Sequence, residues 1–181
     1  MTHPANIIRV ADASVDATLD LELRGLLSAC FTKPQDHVFR QRRHFNEPPA
    51  QRWLIRGDDD GLAAHLAVHD KRFEAAGGQT FRFGGVAEVC VHPAYRGKGY
   101  VGALLAAAHA WMAAEGFAFS VLSGKPSYYA SSGYRTVDNG FRDGVDAAGA
   151  PARVRAEGLM ALALTDRAWP DGDVFIPGPS F

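Results

Sequence analysis

The chemistry-bearing residues cluster in one stretch, Arg96-Gly97-Lys98-Gly99-Tyr100-Val101-Gly102. A glycine turn feeding a helix bares backbone N–H groups at the positive end of the helix dipole. Phosphates and diphosphates bind there. Glycine is needed because a Cβ would hold phosphate oxygens off the backbone. Arg96 and Lys98 add cationic donors beside the turn. Just upstream, Glu88 stands inside the apolar run Val86-Ala87-Glu88-Val89-Cys90-Val91. Partial burial would raise its proton affinity into the range of a useful base. An exposed strand carboxylate is the plainer alternative. His65 and His69 are spaced i, i+4, which on a helix would suggest a zinc pair. The segment reads as strand and HLAVH lacks the glutamate of a metalloprotease helix, so no metal is expected. His65 is expected in the core or at the surface, or facing an acceptor pocket as base or donor. Cys90 has no evident activating base and reads as a small apolar strand residue.

The elements that must position these groups follow from periodicity. Ile7–Val10 reads as a first strand. Ala17–Phe31 has Leu19, Leu23, Leu26 and Leu27 at helical spacing. Pro34 ends that helix, and Gln35–Phe45 is expected to be a second one. Trp53–Ile55 and Leu62–His69 read as strands joined by the turn Asp58–Gly61. Val86–His92 is a fourth strand. A helix runs from the glycine turn to about Glu115, with Gly116 as its left-handed stop. Phe117–Leu122 is a fifth strand. Strand, helix, strand in this order is a βαβ crossover, which makes the fourth and fifth strands parallel. Pro126–Ser132 reads as a short helix, Tyr134–Val137 as a sixth strand and Leu159–Leu164 as a seventh. Residues 138–158 read as a long loop or weak hairpin, and the tail from Trp169 as unstructured.

Composition narrows the class. The chain has 181 residues, enough for one domain over 1–181 with its own core. Nineteen Lys and Arg against twenty Asp and Glu leave a formal charge of −1. That balance, with no basic block, gives no support to a nucleic-acid or membrane partner. Two cysteines are too few for a disulfide framework. Met1–Asn6 lacks a basic n-region ahead of an apolar stretch. A soluble, cytoplasmic protein is the expectation.

Several ligands could fill the glycine turn. Gly97, Gly99 and Gly102 match the spacing of a dinucleotide fingerprint. The next strand ends Val121-Leu122-Ser123, without the carboxylate that would hold the ribose. No P-loop string occurs. Val89–Gly99 resembles instead the diphosphate-binding motif of the GCN5-related N-acetyltransferases, Arg/Gln-x-x-Gly-x-Gly/Ala behind an apolar strand. Arg96 and Gly99 match, while position 101 holds Val and Gly102 follows. Tyr129-Ala130-Ser131-Ser132-Gly133-Tyr134 is similar to the family's downstream Y-x-x-x-G-[FY] motif. Gly61–His65 and Trp169–Phe175 resemble segments of aminoglycoside 2′-N-acetyltransferases. The resemblance to the superfamily covers mainly residues 86–137.

The resemblance implies a GNAT-like α/β (α+β) fold. Its central sheet would be mixed and largely antiparallel, with a βαβ crossover and a splay between the fourth and fifth strands. It implies acetyl-CoA as cosubstrate, held by the backbone of Val89, Cys90 and Val91 and by residues 96–102: Arg96, Gly97, Lys98, Gly99, Tyr100, Val101 and Gly102. A backbone N–H near Val91 would polarise the thioester carbonyl. Tyr129 is the candidate acid, since a phenol of pKa about 10 holds its proton until a thiolate develops; Tyr128 is expected to pack on the core. Glu88 is one base candidate. The aminoglycoside enzymes carry their acidic residue where this chain has Ala87, and a β-bulge would restore the facing of Glu88. The carboxylate of Phe181, behind a proline-stiffened tail, is the other, acting through water. Asp138, Asp143, Asp146, Asp171 and Asp173 would form an acidic rim for a polycation. The expected function is acetyl transfer to a primary amine of a small molecule, conceivably an aminoglycoside-like amino sugar. The alternative is an inactive acyl-CoA-binding sensor or scaffold. The oligomeric state is open, a homodimer included.

Overall fold

The computed structural model describes residues 6–181; Met1–Ala5, read above for a leader, lies outside them. The fold is mixed α+β with mostly antiparallel strands. The chain forms two compact units. One takes the described residues up to His69 together with Val86–Ala108, the other Asp70–Gly85 with His109–Phe181.

The first unit holds β1 (Ile7–Ala11), β2 (Gln51–Arg56), the start of β3 (Leu62–Ala75) and the end of β4 (Thr80–Val91). β2 pairs antiparallel with β1 and with β3. Helix α1 (Ala17–Cys30) starts where the Asp16 carboxylate accepts the Leu19 N–H at 2.8 Å, a standard N-cap. Its Leu23, Leu26 and Leu27 bury against Leu54, Leu62 and Cys90, as the leucine spacing predicts. The expected second helix is instead a 3-10 turn over Pro34–Arg40. Beyond it, side-chain bonds organise the chain: Arg43 pairs with Asp12 and Asp20, and the Phe45 N–H donates to Glu88.

The second unit holds the β3–β4 hairpin, turned by Gly77 and Gly78 at φ +87° and +81°. β3 runs on past His69 because its charged continuation is paired across the hairpin: Asp70 takes both Arg82 Nε and Nη2, at 2.9 and 2.7 Å. Helix α2 (Tyr100–Ala114) leads into this unit and stops at Gly116, φ +77°. β5 (Phe119–Ser123) then pairs parallel with β4 over three residues, ending at Gly85–Val121. Short α3 (Pro126–Tyr129) and the 3-10 turn Ala130–Ser132 close on left-handed Gly133. β6 (Arg135–Thr136), β7 (Gly140–Val145), β8 (Pro151–Arg155), β9 (Leu159–Ala163) and β10 (Val174–Ile176) complete the order β6-β9-β5-β4-β3-β10-β7-β8. The expected seventh strand is therefore β9.

Two segments differ from the sequence reading. Residues 138–158 contain a full antiparallel hairpin, β7–β8. The tail is not unstructured, since β10 joins β3 and β7. Val174 and Ile176 bury their side chains in the unit's core. Asn139 anchors the approach, donating to Pro170 O and Gly172 O and accepting the Trp169 indole N–H. The chain then brings the Phe181 ring over Gly85 and within 5.7 Å of the Phe83 ring.

A methyl group at Gly85 would meet the Phe181 ring at 2.7 Å. We expect Gly85→Ala to cost about 1–3 kcal/mol by overpacking. In a thermal-melt double-mutant cycle, Phe181→Ala should relieve that penalty; simple additivity would show that the ring does not rest there.

Candidate active site

Glu88 departs from strand geometry. Its φ of +52° is left-handed, in the middle of β4. Such a residue breaks the two-residue alternation locally, as a bulge does. The break turns the carboxylate inward, with only 6% of the side chain exposed. Oε1 accepts the Phe45 N–H at 2.8 Å and Oε2 accepts Arg52 Nη1 at 3.3 Å. The Glu88 carbonyl faces His65 Nδ1 at 2.9 Å.

Arg52 is the hub of this cluster and is fully buried. Its Nε donates to Asp12 Oδ1 at 2.6 Å, its Nη2 to Arg43 O, and its Nη1 faces His65 Nε2 at 2.9 Å. Arg43 adds two bonds to the Asp12 carboxylate. Since Arg52 can only donate, His65 Nε2 is the acceptor and Nδ1 carries the proton to Glu88 O. Burial, and then the Arg52 charge, lower the His65 pKa to about 3, so the ring is neutral at physiological pH. Burial raises the Glu88 carboxyl above its ordinary value, and Arg52 only partly offsets this. Burial also raises Asp12, but the bonds and charges of Arg43 and Arg52 together bring it below its ordinary value. The sequence reading missed Arg52, Asp12 and Arg43. An arginine directly ahead of the apolar run Trp53-Leu54-Ile55, within the same strand, was the available signal.

Of the other expected groups in this unit, Cys90 is buried. Its hydrogen bond with Cys30 and its burial push the thiol pKa well up, so it is no ready nucleophile. Val89 and Val91 are half-buried beside it. The turn that follows is exposed from Arg96 to Gly99. Gly97 and Gly99 take φ +79° and +75°, and a Cβ on either would meet no protein atom within 4 Å. The glycines are thus required by backbone conformation and face open space. The Gly99 carbonyl accepts the Ala103 N–H at 3.2 Å, so the amides of Tyr100, Val101 and Gly102 form the first turn of α2 and have no acceptor within the helix. Val101 is half-buried and Gly102 exposed. Arg96 Nε reaches Val91 O at 3.5 Å, and Lys98 stands 4.9 Å from the Tyr95 ring.

In the second unit, Tyr129 is half-buried with its ring over Gly124. Tyr128 does not pack on the core as expected: it is 67% exposed, pointing outward from the one-turn helix that seats its neighbour. Tyr134, the last residue of the motif, is the buried member. Its hydroxyl bonds Ser120 Oγ at 2.6 Å and His109 Nε2 at 2.9 Å. Phe181 lines a cavity of about 590 Å3 with Ser123, Ser180 and residues of the β7–β8 hairpin. None of the five aspartates expected to form a rim lines it. Among the described residues, no group of three or more His, Cys, Asp or Glu is placed to hold a metal ion.

The family model of the acetyltransferase (GNAT) domain matches residues 16–137. The chain belongs to the GNAT acetyltransferase family. That span takes in both the open glycine turn and the tyrosine motif. No curated protein matches the sequence. Solved structures of the family share the fold at low identity. A GNAT family N-acetyltransferase from Escherichia coli, in complex with CoA, is 16% identical over 96% of this chain and 89% of its own, with TM-score 0.66. A GNAT family acetyltransferase from Brucella melitensis, in complex with acetyl-CoA, is 18% identical over 94% and 95%, with TM-score 0.60. A GCN5-related N-acetyltransferase from Kribbella flavida is 17% identical over 76% of this chain but 34% of its own, with TM-score 0.55. Among the described residues of this GNAT domain, no helix is long and apolar enough to cross a membrane.

The buried cluster has an acid signature. Asp12 holds its charge below the usual range, so its contribution to stability is complete above about pH 4 and lost as pH falls through the lowered value. We expect Asp12→Asn to lower neutral-pH stability by about 3 kcal/mol or more, because two guanidinium groups lose their partner. Urea midpoints measured from pH 7 to pH 3 should also show a flatter acid limb than the parent; an unchanged limb would contradict the pairing.

Proposed function

We propose that this GNAT protein moves the acetyl group of acetyl-CoA directly to a primary amine of a small molecule. The observation that carries the reading is the pair of left-handed glycines, open to solvent on their Cβ side, ahead of α2. The residues present fit the cosubstrate. Amides of residues 97–102 would take the diphosphate, with Arg96 and Lys98 beside them as cations. The backbone of Val89, Cys90 and Val91 would hold the pantetheine arm. The bound thioester supplies an activated acyl group and a thiol leaving group.

In this reading the amine nitrogen attacks the thioester carbonyl, forming the C–N bond as the C–S bond breaks. A backbone N–H near Val91 polarises that carbonyl. Glu88 takes the proton of the incoming ammonium, which its raised pKa favours. Each Glu88 oxygen has one protein donor and a second lone pair left for this. Tyr129 returns a proton to the departing thiolate. The carboxylate at Phe181 is the second base in the scheme, and adding residues beyond it separates the two. An amino sugar of aminoglycoside type belongs to the acceptor class, although none of the five aspartates lines the cavity beside Phe181.

Gly99→Asp should remove acetyl-CoA binding in calorimetry, and the strain of a side chain at φ +75° should lower the melting temperature only slightly; retained affinity would contradict the turn assignment. Tyr129→Phe and Glu88→Gln should each lower kcat by about a hundredfold with acetyl-CoA affinity unchanged. Glu88→Gln should also lose the acid limb of the kcat/KM profile. Acetyl-CoA binding without thiol release across a broad amine panel would favour a sensor over an enzyme.

A further inference from the structure

The turn Asp58–Gly61 does more than join β2 to β3. It lies in the first unit, as the glycine turn does. Its own bonds make it rigid. The Gly57 N–H donates to Gly61 O at 2.8 Å and the Asp60 N–H to Gly57 O at 3.1 Å. Asp59 Oδ1 accepts the Gly61 N–H at 3.2 Å. Arg56 anchors the turn to α1, donating to Asp60 O and pairing with Glu22 at 2.9 Å.

Tyr95 ties this fixed turn to the glycine turn. It ends the 3-10 turn Pro93–Tyr95, directly ahead of Arg96. Its hydroxyl donates to Asp59 Oδ1 at 2.9 Å. Its ring lies on Gly57, where a Cβ would collide with it. The bond leaves its mark at both ends, holding the Asp59 carboxyl below its ordinary value and pushing the Tyr95 phenol up. Further along, Lys98 Nζ stands 4.9 Å from the same ring and 4.0 Å from Asp58 Oδ2. The glycine turn is thus held at Tyr95 and at Lys98, both times against the β2–β3 turn. Between and beyond these points Gly97 and Gly99 are left-handed and face open space. Glycines have the most conformational freedom to lose when a ligand orders them. Fixing their flanks beforehand lowers that cost.

We propose that Tyr95 is a positioning residue for the cosubstrate: its hydroxyl, anchored on Asp59, holds the glycine turn in the shape that receives a diphosphate. The inference rests on the acetyl-CoA reading of the turn and names what holds the turn for it. Tyr95→Phe keeps the ring on Gly57 and removes the bond. It should weaken acetyl-CoA binding in calorimetry about fivefold and raise KM for acetyl-CoA to match, with kcat within about twofold of the parent. In an Asp59→Ala background the same substitution should change nothing, because the acceptor is already gone. Hydrogen exchange on the ligand-free protein reads the same restraint without the cosubstrate, and the amides of residues 96–99 should exchange about fivefold faster in Tyr95→Phe. Unchanged affinity and exchange, even with a lower melting temperature, would overturn the proposal. So would a fivefold loss that persists in the Asp59→Ala background. No heat from the parent protein with acetyl-CoA would refute the cosubstrate reading and this inference with it, even with the exchange difference intact.

Discussion

A glutamate held in left-handed backbone in the middle of β4 is the constraint on which the site depends. For a residue with a side chain that conformation costs about 1–2 kcal/mol, and it persists because two bonds over-determine it. One joins the Glu88 carbonyl to His65 Nδ1, the other joins the Glu88 carboxylate to the Phe45 N–H. The carboxylate is thereby held inside, beside a buried guanidinium. Burial favours its protonated form while Arg52 favours the ionised one, and burial wins. The carboxyl therefore holds its proton more tightly than an ordinary glutamate does. Arg52 is fixed in turn by Asp12, and Asp12 by Arg43, so the loop after the 3-10 turn is part of the device.

The second unit solves a related problem with neutral groups. Tyr134 is buried with its hydroxyl between Ser120 and His109, and burial lowers the His109 pKa to about 4. That triad is uncharged at neutral pH and anchors the end of the tyrosine motif. Tyr129, five residues earlier, rests its ring on Gly124. One tyrosine of the motif is thus a buried anchor, and the other packs its ring on the Gly124 backbone. The β7–β8 hairpin and the end of β10 then line a cavity together with Ser123 of β5.

Local signals were readable in the amino-acid order. The glycine turn, the α1 leucine face and the Gly116 stop each depend on neighbours within one or two helical turns. The irregular backbone at Glu88 was suggested only by the resemblance, which sets the acidic residue at position 87 and so called for a bulge; the residues alone left an exposed strand carboxylate equally open. Arg52 was not legible, since a strand arginine ordinarily reads as exposed. Its burial depends on Asp12, 40 residues before it, and on Glu88, 36 after. The β7–β8 hairpin was hidden because glycines occupy the inward positions of β7 and leave no apolar alternation. β10 is three residues between prolines and gains its strand character only from its neighbours.

The central claim is that burial in β4 raises the proton affinity of the Glu88 carboxyl despite the Arg52 charge beside it. Carbon-detected NMR titration of the Glu88 carboxyl measures this directly. The account predicts a midpoint clearly above the ordinary glutamate value of 4.5. A midpoint at or below that value would mean that Arg52 dominates, and that Glu88 is a structural ion-pair partner instead of a base.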